Sequence, residues 1–265
     1  MKVAIIGAGN IGGAIACGLA KGSMFEPQNI LCTTRSEESL EKLRKQNPSL
    51  TLSHDNVRVA QEADIIVIGV KPWRVGEIIE EIKPVIDINR HIIVSVVAGI
   101  EFMSLQEMLT KDEDSMAALP LFRIMPNTAI EVGSSMTFVS ACNASEGQIR
   151  LIIDIFDELG KAMLIEERLM VAGTALASSG IAFALRYIRA AIVGGVELGF
   201  YPKEAQEIVS HTVKGAVDLL IHKASNPEAE IDKVTTPGGI TIKGLNEMEL
   251  SGFTSSVIRG LKASK

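Results

Sequence analysis

Lys2-Val3-Ala4-Ile5-Ile6-Gly7-Ala8-Gly9-Asn10-Ile11-Gly12 stands near the start of the chain. A short apolar run, Val3 to Ile6, ends in G-x-G-x-x-G, and the small-residue stretch Ala14 to Ala20 follows it. Within a βαβ unit of about 30 residues this order marks a dinucleotide site. Gly7 permits the tight turn off the strand. Gly9 lets a pyrophosphate approach the backbone, and Gly12 lets the helix pack close to the sheet. The amides and positive dipole end of that helix then face the phosphates.

Further short β-branched runs recur at 29–33, 64–70, 91–97 and 121–125, mostly continuous in apolar character, as strands covered on both faces are. With the opening strand at 2–6 they alternate with helical patterns at 11–21, 36–46, 57–62, 73–83 and 101–109. Asp55 and Asn56 stand where a helix N-cap belongs. A further strand at 134–139, a helix at 145–159 and a strand at 161–165 complete the first part. Beyond residue 166 strand signals stop, and helical patterns cover 167–198, 203–223, 238–250 and 252–263. Pro202 sits near the start of the second of these, and Asn226-Pro227 breaks the chain after it. The expected fold is α/β: a Rossmann-type, doubly wound, mostly parallel sheet followed by an all-helical dimerisation domain. The expected boundaries are 1–165 for dinucleotide binding and 166–265 for the helical substrate and dimerisation part. A helical domain of that size is under-sized as a free-standing core, so its apolar faces are expected to close on a second copy, in a homodimer or larger homo-oligomer.

The 265 residues are 47% hydrophobic and 22% charged, which suits a globular protein with a sizeable core and argues against disorder. A net charge of −6 favours neither nucleic acid nor an anionic membrane as a partner. Cys17, Cys32 and Cys142 are isolated, so a reducing, cytoplasmic setting is expected. Gly7, Gly9, Asn10 and Gly12 interrupt the first apolar run too early for a signal peptide. The uncharged stretch Leu169 to Leu185 is rich in Ala, Gly and Ser and reads as a helix buried at a subunit or domain interface rather than a membrane span. His54, His91, His211 and His222 are scattered, and no metal-ligand cluster is expected.

An NAD site commonly places a carboxylate at the end of the second strand, about 20 residues past the glycines. Here that region reads Ile30-Leu31-Cys32-Thr33-Thr34-Arg35-Ser36, with hydroxyls and a guanidinium instead. A carboxylate repels a 2′-phosphate, whereas Arg35 can pair with it bidentately, helped by Thr34 and Ser36. NADP is therefore the expected cofactor, with NADPH preferred and NADH possible. The alternatives are that Arg35 is an ordinary solvated charge, or that Glu37 or Glu38 reaches the ribose.

Late in the chain stands Val234-Thr235-Thr236-Pro237-Gly238-Gly239-Ile240-Thr241-Ile242-Lys243-Gly244-Leu245. A Thr-Pro-Gly-Gly turn opening a helix exposes amides and hydroxyls suited to a carboxylate, although an ordinary capped turn has the same pattern. This motif resembles the signature of the pyrroline-5-carboxylate reductases. Gly7 to Gly12, Val70-Lys71-Pro72, Val97-Ala98-Gly99-Ile100, Met125-Pro126-Asn127-Thr128 and Gly194-Gly195-Val196-Glu197-Leu198-Gly199 are similar to that family too, in the same order.

The resemblance implies NADPH- or NADH-dependent reduction of a cyclic imine carboxylate, 1-pyrroline-5-carboxylate, to proline. It places Gly7, Gly9, Asn10, Ile11 and Gly12 at the pyrophosphate, and Thr34, Arg35 and Ser36 at the adenosine ribose and its phosphate. It puts Asn56 beside the adenosine, Val70, Lys71 and Pro72 along the dinucleotide, and Ala98 and Asn127 near the nicotinamide. Thr236, Gly238, Gly239 and Thr241 would cradle the substrate, with Thr241 and Thr236 the catalytic candidates. The family usually shows S-G-S-G-P-A-Y early in the helical domain, where this chain has Ala177-Ser178-Ser179-Gly180-Ile181-Ala182-Phe183. Replacing proline by Ile181 is expected to straighten a kinked helix start, and Phe183 lacks a tyrosine hydroxyl. Those departures keep three alternatives in view: a reductase of a related cyclic imine, a β-hydroxyacid-type dehydrogenase, or a non-catalytic NADPH-binding sensor. The dehydrogenase chemistry wants a lysine in the first long helix, and 169–185 contains none.

Overall fold

Eight strands form one sheet in the order β3-β2-β1-β4-β5-β6-β7-β8. The structure is a computed structural model and describes residues 1–110 and 119–265. The strands are β1 (Val3–Ile6), β2 (Ile30–Thr33), β3 (Thr51–Ser53), β4 (Ile65–Ile68), β5 (Ile92–Ser95), β6 (Leu121–Met125), β7 (Ser135–Cys142) and β8 (Gly160–Leu164). All neighbours are parallel except β6 and β7, so β7 and β8 run against the rest. The mostly parallel sheet is as expected.

Every residue of β1, β2, β4 and β5 is buried, because helices cover both faces. The pleat sorts them. Val3 and Ile5 join Ile15, Leu19, Phe122 and Phe156 on one side, beneath α1 (Asn10–Leu19) and α6 (Glu146–Asp157). Ala4 and Ile6 join Ile66, Ile78, Ile82 and Leu105 on the other, beneath α3 (Asn56–Glu62), α4 (Val75–Ile82) and α5 (Phe102–Leu109). On the outer edge, α2 (Glu37–Gln46) is capped by the Ser36 hydroxyl, and α3 by Asp55, whose carboxylate accepts from the Arg58 amide at 2.9 Å. Chain order reverses between β1 and β4, which places the topological switch point beside Gly7.

By packing, the chain divides into Met1–Ser178 and Ser179–Lys265, whereas the sequence pattern changes near residue 166. The first unit ends in α7 (Met170–Gly173), and the second holds α8 (Gly180–Glu197), α9 (Pro202–Lys223), α10 (Pro227–Lys233), α11 (Ile240–Leu250) and α12 (Phe253–Ala263). In the second unit α8 and α9 pack closely: a methyl group added at Gly195 would lie 3.2 Å from Ala205 Cβ. Tyr187 and Phe253 meet edge to face at 6.3 Å. α8, α11 and α12 bury no residue in the single chain.

Three expectations are corrected. β3 is an additional strand, half-buried and recruited by pairing with β2. α10 is an additional helix: Asn226 does not only break the chain but caps the next helix, accepting from the Ala229 amide at 3.0 Å with Pro227 in the first turn. The single helix expected over 167–198 is a 3-10 turn, α7, a π-helical stretch Thr174–Ser179 and then α8. From Ile181 onward α8 runs unbroken to Glu197, as the replacement of proline leads one to expect, and the π-helical irregularity lies before that residue. By length and composition Glu167–Glu197 could cross a membrane, with 17% of the apolar window buried.

Candidate functional site

Gly7 leaves β1 with φ +90°, and a side chain there would strike the Val70 amide at 2.8 Å. Gly12 sits with its Cα so close that an added Cβ would lie 2.5 Å from the Gly7 carbonyl. At Gly9, by contrast, an added Cβ meets nothing within 4 Å. Gly9 starts α1 without a side-chain cap, and no acidic residue occupies the first turn. The loop is held from beneath, since the Gly7 and Ala8 amides donate to the Thr33 carbonyl at 3.1 and 2.8 Å. A cradle of open amides over a glycine fits a pyrophosphate.

The candidate cofactor residues follow the carboxyl ends of successive parallel strands: Gly7 after β1, Thr34 to Ser36 after β2, Val70 to Pro72 after β4, Ala98 after β5 and Asn127 after β6. A cavity of about 330 Å³ brings together Gly7, Thr34, Arg35, Asn56 and Val70. Gly9, Asn10, Ile11, Gly12, Ser36, Lys71, Pro72, Ala98 and Asn127 do not line it; Gly9 and Asn10 line a separate cavity with Ala8 and Gly13. Ser36 spends its hydroxyl on α2, accepting from the Ser39 amide at 3.2 Å. Asn56, in the first turn of α3, accepts from Thr33 Oγ1 at 2.6 Å and donates to Glu81 at 2.8 Å, so its amide is fixed against the end of β2. Asn127 caps the next turn through the Ala129 amide at 3.1 Å and donates to the Ala177 carbonyl of the π-helical stretch at 3.4 Å.

Of the lining residues outside the expected set, His54 and Arg74 are the two that can carry positive charge. Arg74 forks onto Glu77, at 3.1 and 2.8 Å. That pairing, helped by nearby Arg35, holds the Glu77 carboxyl below its ordinary value. His54 is bound to Glu37 and to the Thr34 carbonyl, which together raise its pKa above 6.5. Arg74 lies only two residues past Val70-Lys71-Pro72, which was the available signal; His54 had none.

In the second unit, Gly238 turns the chain with φ +70° and the Gly239 amide donates to the Thr236 carbonyl at 2.9 Å. α11 then starts at Ile240 with neither a side-chain cap nor an acidic first turn. The bend thus offers open amides, with Thr236 exposed and Thr241 half-buried beside them. Phe183 lines a separate apolar cavity of about 610 Å³ with Arg186, Tyr187, Met248, Phe253 and Val257. Among the described residues no cluster of His, Cys, Asp and Glu could hold a metal ion.

A family model described as pyrroline-5-carboxylate reductase dimerisation matches residues 167–265, and one described as NADP oxidoreductase, coenzyme F420-dependent, matches 2–99. The chain is 38% identical to pyrroline-5-carboxylate reductase 1 of Dictyostelium discoideum, over 99% of this chain and 48% of that protein. It therefore spans about half the length of that relative. It is 36% identical to pyrroline-5-carboxylate reductase 2 of the same organism, over 99% of this chain and 90% of that one. Among solved structures it is similar to the Plasmodium falciparum pyrroline carboxylate reductase with NADP bound, at TM-score 0.86 and 26% identity, covering 100% of this chain and 95% of that one.

Proposed function

The chain belongs to the pyrroline-5-carboxylate reductase family, and we propose that it reduces 1-pyrroline-5-carboxylate to proline, with NADPH as the preferred reductant. One observation carries this reading: the same chain holds a glycine cradle open above Gly9 and, on the start of α11, an uncapped bend with no acidic residue in the helix's first turn. The two suit a pyrophosphate and a small carboxylate. When bound, the dinucleotide supplies the hydride at its nicotinamide ring.

The residues divide the remaining work. Gly7, Gly9, Asn10, Ile11 and Gly12 hold the pyrophosphate on the α1 amides. Thr34, Arg35 and Ser36 meet the ribose and its phosphate, and Asn56 the adenosine. Val70, Lys71 and Pro72 line the dinucleotide, and Ala98 and Asn127 flank the nicotinamide. Thr236, Gly238 and Gly239 grip the substrate carboxylate. Thr241 hydrogen-bonds the ring nitrogen and holds the proton there. A threonine hydroxyl is a poor acid, so its contribution is orientation of an imine that already accepts hydride readily.

The exposed apolar faces of the helical unit, such as Leu198 at 84% and Leu250 at 81%, support a homodimer or larger homo-oligomer, in which they close on a second copy. As a functional division 1–165 and 166–265 is our proposal, supported by the dimerisation family match over residues 167–265. The cysteines are free, which supports a reducing cytoplasmic setting, and burial pushes the Cys32 thiol up to about 12, which leaves it unreactive.

The direct test is NADPH oxidation by the purified chain with pyrroline-5-carboxylate. Turnover of a hydroxy acid with NADP, and none of the imine, would replace this reading by the dehydrogenase. Thr241→Ala is expected to lower kcat about tenfold, one charge-assisted hydrogen bond, with the KM for NADPH unchanged; an unchanged kcat makes the threonine structural. Arg35→Asp is expected to weaken NADPH about 20-fold while NADH changes little. Equal loss for both cofactors removes the phosphate role.

A further inference from the structure

Three groups that can carry positive charge converge on the 330 Å³ cavity from three separate loops: Arg35 after β2, His54 after β3 and Arg74 before α4. The histidine has a particular geometry. Its Nδ1 lies 2.7 Å from the Thr34 carbonyl oxygen and its Nε2 lies 3.0 Å from a Glu37 carboxylate oxygen. Both partners accept and neither can donate. A neutral imidazole has one N–H, so it satisfies one of them; the imidazolium satisfies both.

The remaining charges around the ring are accounted for. From α2 comes Glu37 itself. Asp55, beside His54, caps α3 through the Arg58 amide. From the α4 side, Arg74 is forked by Glu77, while Glu81 accepts from Asn56. Glu37 is therefore the anion whose charge the histidine governs. A bare Glu37 carboxylate repels a 2′-phosphate and accepts from a 2′-hydroxyl. Clamped by the imidazolium, it does neither.

We propose that His54 is a specificity-determining residue that makes the preference for a 2′-phosphorylated dinucleotide dependent on pH, and that Arg74 joins Arg35 on that phosphate. As pH rises the ring loses its second N–H, one of its two bonds is given up, and either the Thr34 loop loosens or the Glu37 charge is released. Both outcomes weaken NADP(H) relative to NAD(H). The raised pKa of His54 extends the clamped state above pH 6.5 before it is lost.

This inference rests on the crevice being a dinucleotide site, so its test reads binding alone. Calorimetric affinities of NADP⁺ and NAD⁺ are measured on the full chain between about pH 7 and about pH 9, a window in which a phosphate monoester is already doubly charged. The NADP⁺:NAD⁺ preference is expected to fall about fivefold across the window, and to be flat in His54→Gln. A constant preference in the unaltered chain, or the same fall in His54→Gln, overturns the role of His54. Arg74→Gln is expected to weaken NADP⁺ about tenfold more than NAD⁺; equal weakening of both removes Arg74 from the phosphate. Failure of both dinucleotides to bind defeats the crevice reading and this inference together. Binding with the expected pH response but no imine turnover defeats the reductase reading alone.

Discussion

Glu167→Ala is expected to lower the unfolding free energy by about 3–5 kcal/mol, the range for stranding a buried charge. Its partner, Arg123, stands on β6 with a side chain only 8% exposed. The guanidinium reaches one anion, Glu167 Oε1, at 2.5 Å, and lies 6.0 Å from the centre of the Phe102 ring. The same carboxylate oxygen accepts from the Phe102 amide at 2.8 Å, at the start of α5. Alanine at 167 thus leaves a buried cation without its anion and a helix-start amide without its acceptor. The reciprocal change is milder. Glu167 is 34% exposed, so after Arg123→Leu water can solvate the carboxylate, and a loss of about 1–2 kcal/mol is expected. Urea unfolding of the two single variants checks the asymmetry. Equal losses, or a loss below about 1 kcal/mol for Glu167→Ala, would mean that the pair is not buried as described.

That pair also marks the limit of what could be read from the chain alone. β1, β2, β4 and β5 were legible because a strand covered on both faces writes its whole length in apolar residues. β3 was not, because Thr51-Leu52-Ser53 is only three residues long, too short to carry a periodic signal, and it forms by pairing with neighbouring β2. The reversal at β7 was equally hidden, since residue type does not encode strand direction. In the candidate site, the glycine cradle and Arg35 belong to local patterns, whereas Asn56 and Val70 were reached only through the family resemblance. His54 works through Glu37 and Thr34, 17 and 20 residues away, and Glu167 works through Arg123, 44 residues away. Such pairings exist only after the loops have been brought to one edge of the sheet.

Gly9→Ala separates a glycine required by the fold from one required by the ligand. Gly7 is required by the backbone, with φ +90°, and Gly12 by the 2.5 Å approach of its virtual Cβ to the Gly7 carbonyl. Alanine at either position strains the protein with or without a cofactor. At Gly9 φ is −78° and the new methyl group meets open space, so the melting temperature is expected to stay within about 3 °C, less than 1 kcal/mol. The methyl group then stands over the uncapped first turn of α1, where the pyrophosphate must approach. A displacement of about 1 Å is worth about 100-fold in kcat/KM, and that loss is expected for the variant. Because both dinucleotides carry the pyrophosphate, NADPH and NADH should lose equally, unlike the selective loss expected for Arg35→Asp. Undiminished kcat/KM with a folded Gly9→Ala variant would place the pyrophosphate away from the α1 amides and dissolve the cradle assignment.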